Sequence, residues 1–390
     1  MRHGRSSTPA NAGPSTGLGA GPSTGLGTGP STPLGTGPST PLGTGPSTGL
    51  GAGPSTGLGA GERGLIAAIR SRVPPAPAWL AVGIGDDAAV VKPERGAFEI
   101  LTTDALVEGI HFDRRFSTPA DIGWKALAVN LSDIAAMGGT PRLALLSLGL
   151  PAAMPEADVH ALIDGFLALA AAARVTLAGG NITRSPGPLF VDVTVAGFAR
   201  ARHVLTRGGA RAGDGLYVSG EVGAAAAALG WLQRAANAGE VPPPLDGMEA
   251  CAARHRRPEP RIRLGALLGR NRAATACMDL SDGLADAVRQ IAGASGLGAT
   301  IDGGALPIPA AAREWFRQSG VDPVAAATAG GDDYELLFAC SPRARGRLAT
   351  VIRQAGGVAI TRIGELTADP ALVLVNNAAR EPLPDGFVHF

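Results

Sequence analysis

The chain has 390 residues, of which 34 are basic and 33 acidic, a formal net charge of +1 that argues against a broad nucleic-acid surface. No apolar run approaches the ~18 residues of a membrane span, and the N-terminus lacks the apolar segment of a secretory signal, so the expectation is a soluble, cytoplasmic protein. Cys251, Cys277 and Cys340 are scattered, without CxxC spacing, and read as small buried apolar residues.

Residues 1–60 repeat GPST six times at a spacing of eight from Gly13. Such a segment cannot bury enough apolar surface to offset ordering, so it is expected to be a disordered tail, or to precede the real translation start. Beyond it, apolar runs bounded by Gly, Asp and Pro alternate with Ala-rich amphipathic stretches, which predicts a mixed α/β architecture. In chain order the expected elements are a strand Phe98–Thr103, a helix Asp121–Met137, a strand Leu143–Leu150, a helix Glu156–Arg174 and a strand Leu189–Phe198. A boundary near residue 200 leaves a first domain over 61–199 and a second over 200–390, both of ordinary size. The second is expected to contain strands Gly215–Ser219, Ala274–Leu280 and Tyr334–Cys340, with helices Ala224–Ala236, Leu284–Ala294 and Pro342–Gln354. Ser341 is the N-cap expected for the last helix, with proline at its first position.

Lysine occurs only at Lys92 and Lys125, neither in a GxxxxGK[ST] loop, which excludes a P-loop; the HRD and DFG triplets of protein kinases are absent too. The acids are more informative. Asp86 and Asp87 sit side by side in GIGDDAAVV, Asp104 closes FEILTTD after Thr102 and Thr103, and Asp133 lies in NLSDIAAMGG. Asp279, Ser281 and Asp282 follow in ATACMDLSD, and Asp332, Asp333 and Glu335 in GGDDYELLF. Each has an ordinary explanation: Asp-Asp pairs form turns, Ser281 or Asp282 can cap a helix, and Asp133 can face solvent. The repeated placing of acids and hydroxyls beside glycines at strand edges suits magnesium, which takes a few protein oxygens and completes its shell with water and phosphate. Such a site serves phosphoryl transfer.

GIGDDAAVV, TTDALVEGIHF, KALAVNLSDIAAMGG, GGNITR, LTRGGARAGD, DLSDGL, GGDDYELLF and GFVHF occur in the order found in thiamine-monophosphate kinases, and the resemblance covers residues 62–390. It implies two α/β domains of the aminoimidazole ribonucleotide synthetase-related fold, with N-terminal domains pairing in a homodimer to form a β-barrel. It also implies transfer of the ATP γ-phosphate to thiamine monophosphate, the last step to thiamine diphosphate, with several Mg²⁺ ions. By motif, Asp87, Thr102, Thr103, Asp104, Asp133, Asp279 and Asp282 fall on magnesium positions, with Asp87, Asp104, Asp133 and Asp279 taken as catalytic. Gly180, Asn181, Arg207 and Ser281 fall on ATP positions, and Asn181 also on a metal position where many members carry Asp. His111, Asp332 and Phe387 fall on positions that contact thiamine monophosphate, Asp332 standing where many members have Glu. Without the resemblance, His111 reads as a half-buried histidine, Arg207 as solvated surface, Trp124 and Phe338 as core, and RHRRPEPRI as the basic end of a helix stopped by Pro258. The alternatives are another ATP-using enzyme of the superfamily, such as the hydrogenase maturation factor with its C-terminal cysteine, or a non-catalytic nucleotide or thiamine-phosphate binder.

Overall fold

A computed structural model describes residues 61–238 and 245–386; the GPST repeats lie outside the described residues. The first half runs α1 (Gly61–Arg72), β1 (Leu80–Val82), β2 (Val90–Val91), β3 (Phe98–Val107), α2 (Pro119–Ala136), β4 (Thr140–Pro151), α3 (Glu156–Ala173), β5 (Thr176–Ser185) and β6 (Phe190–Ala199). The second runs β7 (Gly215–Ser219), α4 (Ala224–Ala238), α5 (Met248–Arg256), α6 (Ile262–Arg270), β8 (Ala276–Asp279), α7 (Leu284–Ser295) and β9 (Gly298–Asp302). It continues with α8 (Ala310–Gln318), α9 (Pro323–Ala329), β10 (Leu336–Cys340), α10 (Arg345–Gln354), β11 (Ile360–Thr367), β12 (Leu372–Asn376) and β13 (Ala379–Pro382).

Two larger sheets organise these elements. The first has the order β3-β6-β4-β5, antiparallel except for the parallel β4/β5 pair. Along β3 the side chains alternate: Ile100 and Leu106 are buried on the face that carries Thr102 and Asp104, while Leu101 and Thr103 are exposed on the other. The second sheet has the order β13-β12-β9-β11-β7-β10-β8, antiparallel except at β12/β9. Its interior strand β10, LLFAC, lies between β7 and the edge strand β8 and is apolar throughout because both of its faces are covered. Leu337 and Ala339 join the core with α4 and α7, whereas Leu336, Phe338 and Cys340 join the core with α6 and α10. All three cysteines are buried.

Every strand and helix expected from the sequence is present, β7 with the expected bounds and the others with shifted ends. β3 runs three residues past Asp104, because Ala105, Leu106 and Val107 keep pairing with β6; Asp104 therefore lies inside the strand instead of closing it. The stretch Pro342–Gln354 opens as a 3₁₀ turn, with Ser341 Oγ accepting the Arg343 amide, before α10 begins. The GGNITR segment, not assigned from sequence, is edge strand β5. No described helix is long and apolar enough to cross a membrane.

Helix α2 packs against α3, β3, β6, α6 and β8. Thr118 and Asp121 form a reciprocal capping box at its start, with Pro119 in the first turn. It crosses α3 at backbone contact, since a Cβ on Gly123 would lie 1.9 Å from the Leu162 carbonyl oxygen and one on Gly165 2.0 Å from that of Ala120. Alanine at either position must push the helices apart. Gly123→Ala is therefore expected to destabilise the chain by about 1–3 kcal/mol in urea denaturation. Gly187→Ala, with nothing within 4 Å of the new methyl, should stay within ~0.5 kcal/mol of the parent.

Candidate active site

Three elements carry acids into one cavity of about 550 Å³. β3 supplies Asp104, α2 supplies Asp133 and β8 supplies Asp279; Ser281 and Asp282 follow β8 on the turn into α7. Asp133 does not face open solvent: Thr102 Oγ1 donates to its Oδ2 at 2.5 Å. The preceding residue, Ser132, donates to Asp279 Oδ2 at 2.8 Å. Consecutive residues of α2 thus bond to β3 and to β8, which wedges the helix between the two strands.

Crowding these carboxylates has an electrostatic cost. Burial, then the charges of Asp133, Asp192 and Asp282, pushes Asp104 up to about 7. Burial, then Asp133 and Asp104, pushes Asp279 to about 7 as well, against the hydrogen bond from Ser132. Asp133 is also raised by burial, opposed by the Thr102 bond and by the charge of Arg207. Arg207 itself is exposed and bonds to the side chain of Gln290, which donates to Asp286 at 2.6 Å. All the donors here are hard oxygens, and among the described residues no three His, Cys, Asp or Glu side chains form a ready-made metal cage. That arrangement fits a hard divalent cation held by one or two carboxylates, with phosphate and water supplying the remaining ligands.

The opposite wall is built by the turn before β10. His111 lines the cavity, and its Nδ1 accepts the Val107 amide at 3.1 Å, so Nε2 carries the proton of the neutral ring. Lys125, 3 % exposed, donates to Asp332 Oδ2 at 2.8 Å and to the His111 carbonyl at 3.1 Å. Tyr334 Oη donates to Asp332 Oδ1 at 3.1 Å. Burial alone would raise Asp332, but Lys125 and these hydrogen bonds hold it below the usual carboxylate range. His255 lies 3.7 Å from the same carboxylate, yet burial and then Lys125 drive it down to about 3. The ring is neutral, and Lys125 is the cation that balances Asp332.

The structure therefore brings Asp104, Asp133, Asp279, Ser281, Asp282, His111 and Asp332 to one cavity, with Thr102 and Arg207 acting on its acids. Other expected site residues lie elsewhere. Thr103 points to the opposite face of β3, toward Asp192 and Thr194 of β6, because strand neighbours alternate. Asp87 is exposed between β1 and β2, where its amide bonds to Asp86 Oδ1, and does not line the cavity. Gly180 and Asn181 sit on edge strand β5, also outside the cavity walls; a Cβ at Gly180 would strike the Leu146 carbonyl at 1.9 Å, so that position accepts only glycine. Phe387 lies outside the described residues, although Asp385 and Gly386 before it line the cavity.

Comparison with known proteins agrees with this architecture. Residues 85–199 match the family described as AIR synthase related protein, N-terminal domain, and residues 211–376 match its C-terminal domain. The thiamine-monophosphate kinase of Rhodopirellula baltica is 33% identical over 337 residues, 84% of this chain and 97% of its own. The chain belongs to the thiamine-monophosphate kinase family. The crystal structure of the Stenotrophomonas maltophilia thiamine-monophosphate kinase is 37% identical, with a TM-score of 0.70 over 81% of this chain and 96% of that one. A structure described as AaThiL complexed with AMPPCP and TMP is 30% identical, with a TM-score of 0.66 over 85% of this chain and 97% of that one.

Within this family frame, sequence reasoning overlooked Lys125, Tyr334, His255 and Asp192. Lys125 left a usable signal: Lys125, Val129 and Asp133 recur every four residues along one face of α2, and the last two line the cavity. His255 left none, since its place depends on how α5 packs. The segment RHRRPEPRI does end a helix, as expected, and then does more: Arg254 and Arg261 both pair with Glu335, and Arg257 pairs with Asp121.

Two outcomes are expected. A folded-state carboxyl held near 7 keeps its proton where the unfolded chain has released it, so this part of the stability falls as pH rises from about 4 through 7. In metal-free buffer, Asp104→Asn should raise the melting temperature at pH 8 and by clearly less at pH 5, where only about a third of that loss has accrued; equal gains at both would rule out the charge as the cause. Lys125→Met strands Asp332 without its cation and should cost about 2 kcal/mol, below the ~3–5 kcal/mol of a fully enclosed pair because Asp332 keeps some solvent contact. Adding Asp332→Asn should recover part of that loss in chemical denaturation.

Proposed function

We propose that this chain transfers the γ-phosphate of ATP to the phosphate of thiamine monophosphate in line, releasing ADP and thiamine diphosphate. The observation that carries the proposal is the single cavity lined by Asp104, Asp133, Asp279 and Asp282, where burial and then mutual repulsion hold two carboxyls near 7. Family membership and the relative complexed with AMPPCP and TMP support it.

The acceptor defines the task. A phosphate monoester has its second pKa near 6, so the attacking oxygen is already largely anionic at neutral pH and no strong general base is needed. The difficulty is to bring two polyanions together in a site that is itself acidic. Magnesium ions, when bound, supply the positive charge that neutralises phosphate oxygens. Asp104, Asp133, Asp279 and Asp282 would hold them, with Thr102 fixing the Asp133 rotamer and Ser132 that of Asp279. Asp87, Thr103 and Asn181 complete the proposed metal set by motif, although none of them lines this cavity. Arg207, Ser281, Gly180 and Asn181 would take the nucleotide, whereas His111, Asp332 and Phe387 would take the thiamine monophosphate. Asp332 spends both carboxylate oxygens on Lys125 and Tyr334, so its proposed part is to set the cavity wall rather than to carry charge to the acceptor.

The working unit we propose is a homodimer of two-domain subunits divided near residue 200. The supporting surface is the outer face of β3, where Leu101 is 68% exposed on the first sheet. Pairing of two such faces across a twofold axis would cover it.

The test uses the full chain with ATP, Mg²⁺ and either thiamine monophosphate or thiamine, following ADP release and separating thiamine diphosphate by chromatography. Product is expected with the monophosphate only, because thiamine lacks the anionic oxygen. Asp133→Asn, which preserves shape and removes charge, should lower kcat by about a hundredfold or more. ATP binding without product in the parent chain, or comparable phosphorylation of thiamine, would defeat the proposal.

A further inference from the structure

A second cavity, about 800 Å³, shares no lining residue with the acid-lined one. It lies between the segment before β3, the ends of β6 and α10, the turn after α2, and α6. Its charged lining is Arg95, Arg200, Arg263 and Arg270 against the single acid Glu94, with His203 among them. Burial, followed by the charges of Arg202, Arg200, Arg272 and Arg270, pushes His203 below its ordinary value. Four arginines from three chain segments thus line one concavity.

Several arginines, Arg184 and Arg347 among them, have no ion pair among the described residues; what distinguishes these four is that they line one cavity. Arg114, Arg254, Arg257 and Arg261 each pair with an acid within 3 Å. Among the described residues, Arg95, Arg200, Arg263 and Arg270 form no ion pair; the bonds that Arg263 and Arg270 make go to the neutral Gln354 carbonyl and side chain. Basic residues at a helix C-terminus are ordinary, which accounts for Arg270 at the end of α6 and for Arg263 over the end of α10. It does not account for Arg95 or Arg200, which enter from the segment before β3 and from the residue after β6.

We infer that this cavity is a second ligand site and that its ligand is a compact polyphosphate. Guanidinium groups present paired donors that match phosphate oxygens, and several of them around one concavity match several anionic oxygens at close spacing. A volume of this size accommodates a small organic phosphate. An extended nucleic acid would call for a basic stripe, whereas these residues surround a pocket in a chain of net charge +1. The same phosphate chemistry could come from a nucleotide or from thiamine diphosphate, and the inference stands whether or not the chain has the activity proposed above.

The experiment is isothermal titration of inorganic tripolyphosphate into the full chain in EDTA, where the metal-free acid cavity repels polyanions. Binding is expected, with the affinity lowered about tenfold in Arg95→Gln and again in Arg200→Gln. Both side chains are exposed and neither should alter the melting curve; Asp133→Asn should leave the affinity unchanged. Competition by ADP and by thiamine diphosphate tells which organic phosphate the site takes. The inference is overturned if tripolyphosphate does not bind, if an Arg95→Gln/Arg200→Gln chain with parental melting binds as tightly as the parent, if Asp133→Asn abolishes binding, or if neither organic phosphate competes.

Discussion

Asp104, Asp133 and Asp279 reach one cavity from a strand, a helix and a second strand, and burying them together raises two of the three to about 7. A fold that does this cannot draw much stability from the site itself. The only buried lysine, Lys125, is committed to Asp332, and Arg207 acts on the acids from an exposed position. The positive charge that would relieve the repulsion has to arrive from outside, so the elements that carry the acids must be held together by other means.

Those means are found on the far side of the same loops. Glu335, 1% exposed, accepts Arg261 Nη2 at 2.6 Å and Arg261 Nε at 2.7 Å, and pairs also with Arg254 and Ser219. A carboxylate so enclosed is tolerable because every oxygen is satisfied by charged or hydroxyl donors. Around it, Trp124 Nε1 donates to the Pro258 carbonyl at 3.0 Å, and Arg257 pairs with Asp121 in the capping box of α2. One basic segment, residues 254–261, therefore ties the start of α2 to the loop that carries Asp332. The backbone of that loop is strained, with φ of 69° at Asp332 and 49° at Tyr334, a cost of about 1–3 kcal/mol per residue. The Asp332 amide bonding to the Ser281 carbonyl and the Tyr334 amide to that of Leu280 hold it against the other acidic turn.

How much of this can be read from residues alone depends on the range of the interaction. β10 and α2 are legible because apolar runs and the spacing of apolar residues are local signals, although a start at Asp121 passes over the Thr118 cap before Pro119. The acids were legible as a set because Asp beside Gly at a strand edge is also local. Their convergence was not, since Ser132 meets Asp279 across 147 positions and Thr102 meets Asp133 across 31. Thr103 shows the limit in the other direction: a motif groups it with Thr102 and Asp104, while strand alternation turns it to the opposite face. Short elements such as β1, β2 and β13 carry too few residues for any period to appear, and β5 was obscured by its paired glycines.

The net charge of +1 conceals a strong internal division. Asp133 lies in the last turn of α2, at the acid-lined cavity, and Gly138, five residues on, borders the arginine-lined one. At 1.5 Å per residue that is roughly 7 Å of helix axis. The charges that act on Asp104, Asp133 and Asp279 are those of neighbouring carboxylates and of Arg207; none of the four arginines lining the second cavity is among them. The nearly neutral total is thus the sum of two local fields that do not cancel in space.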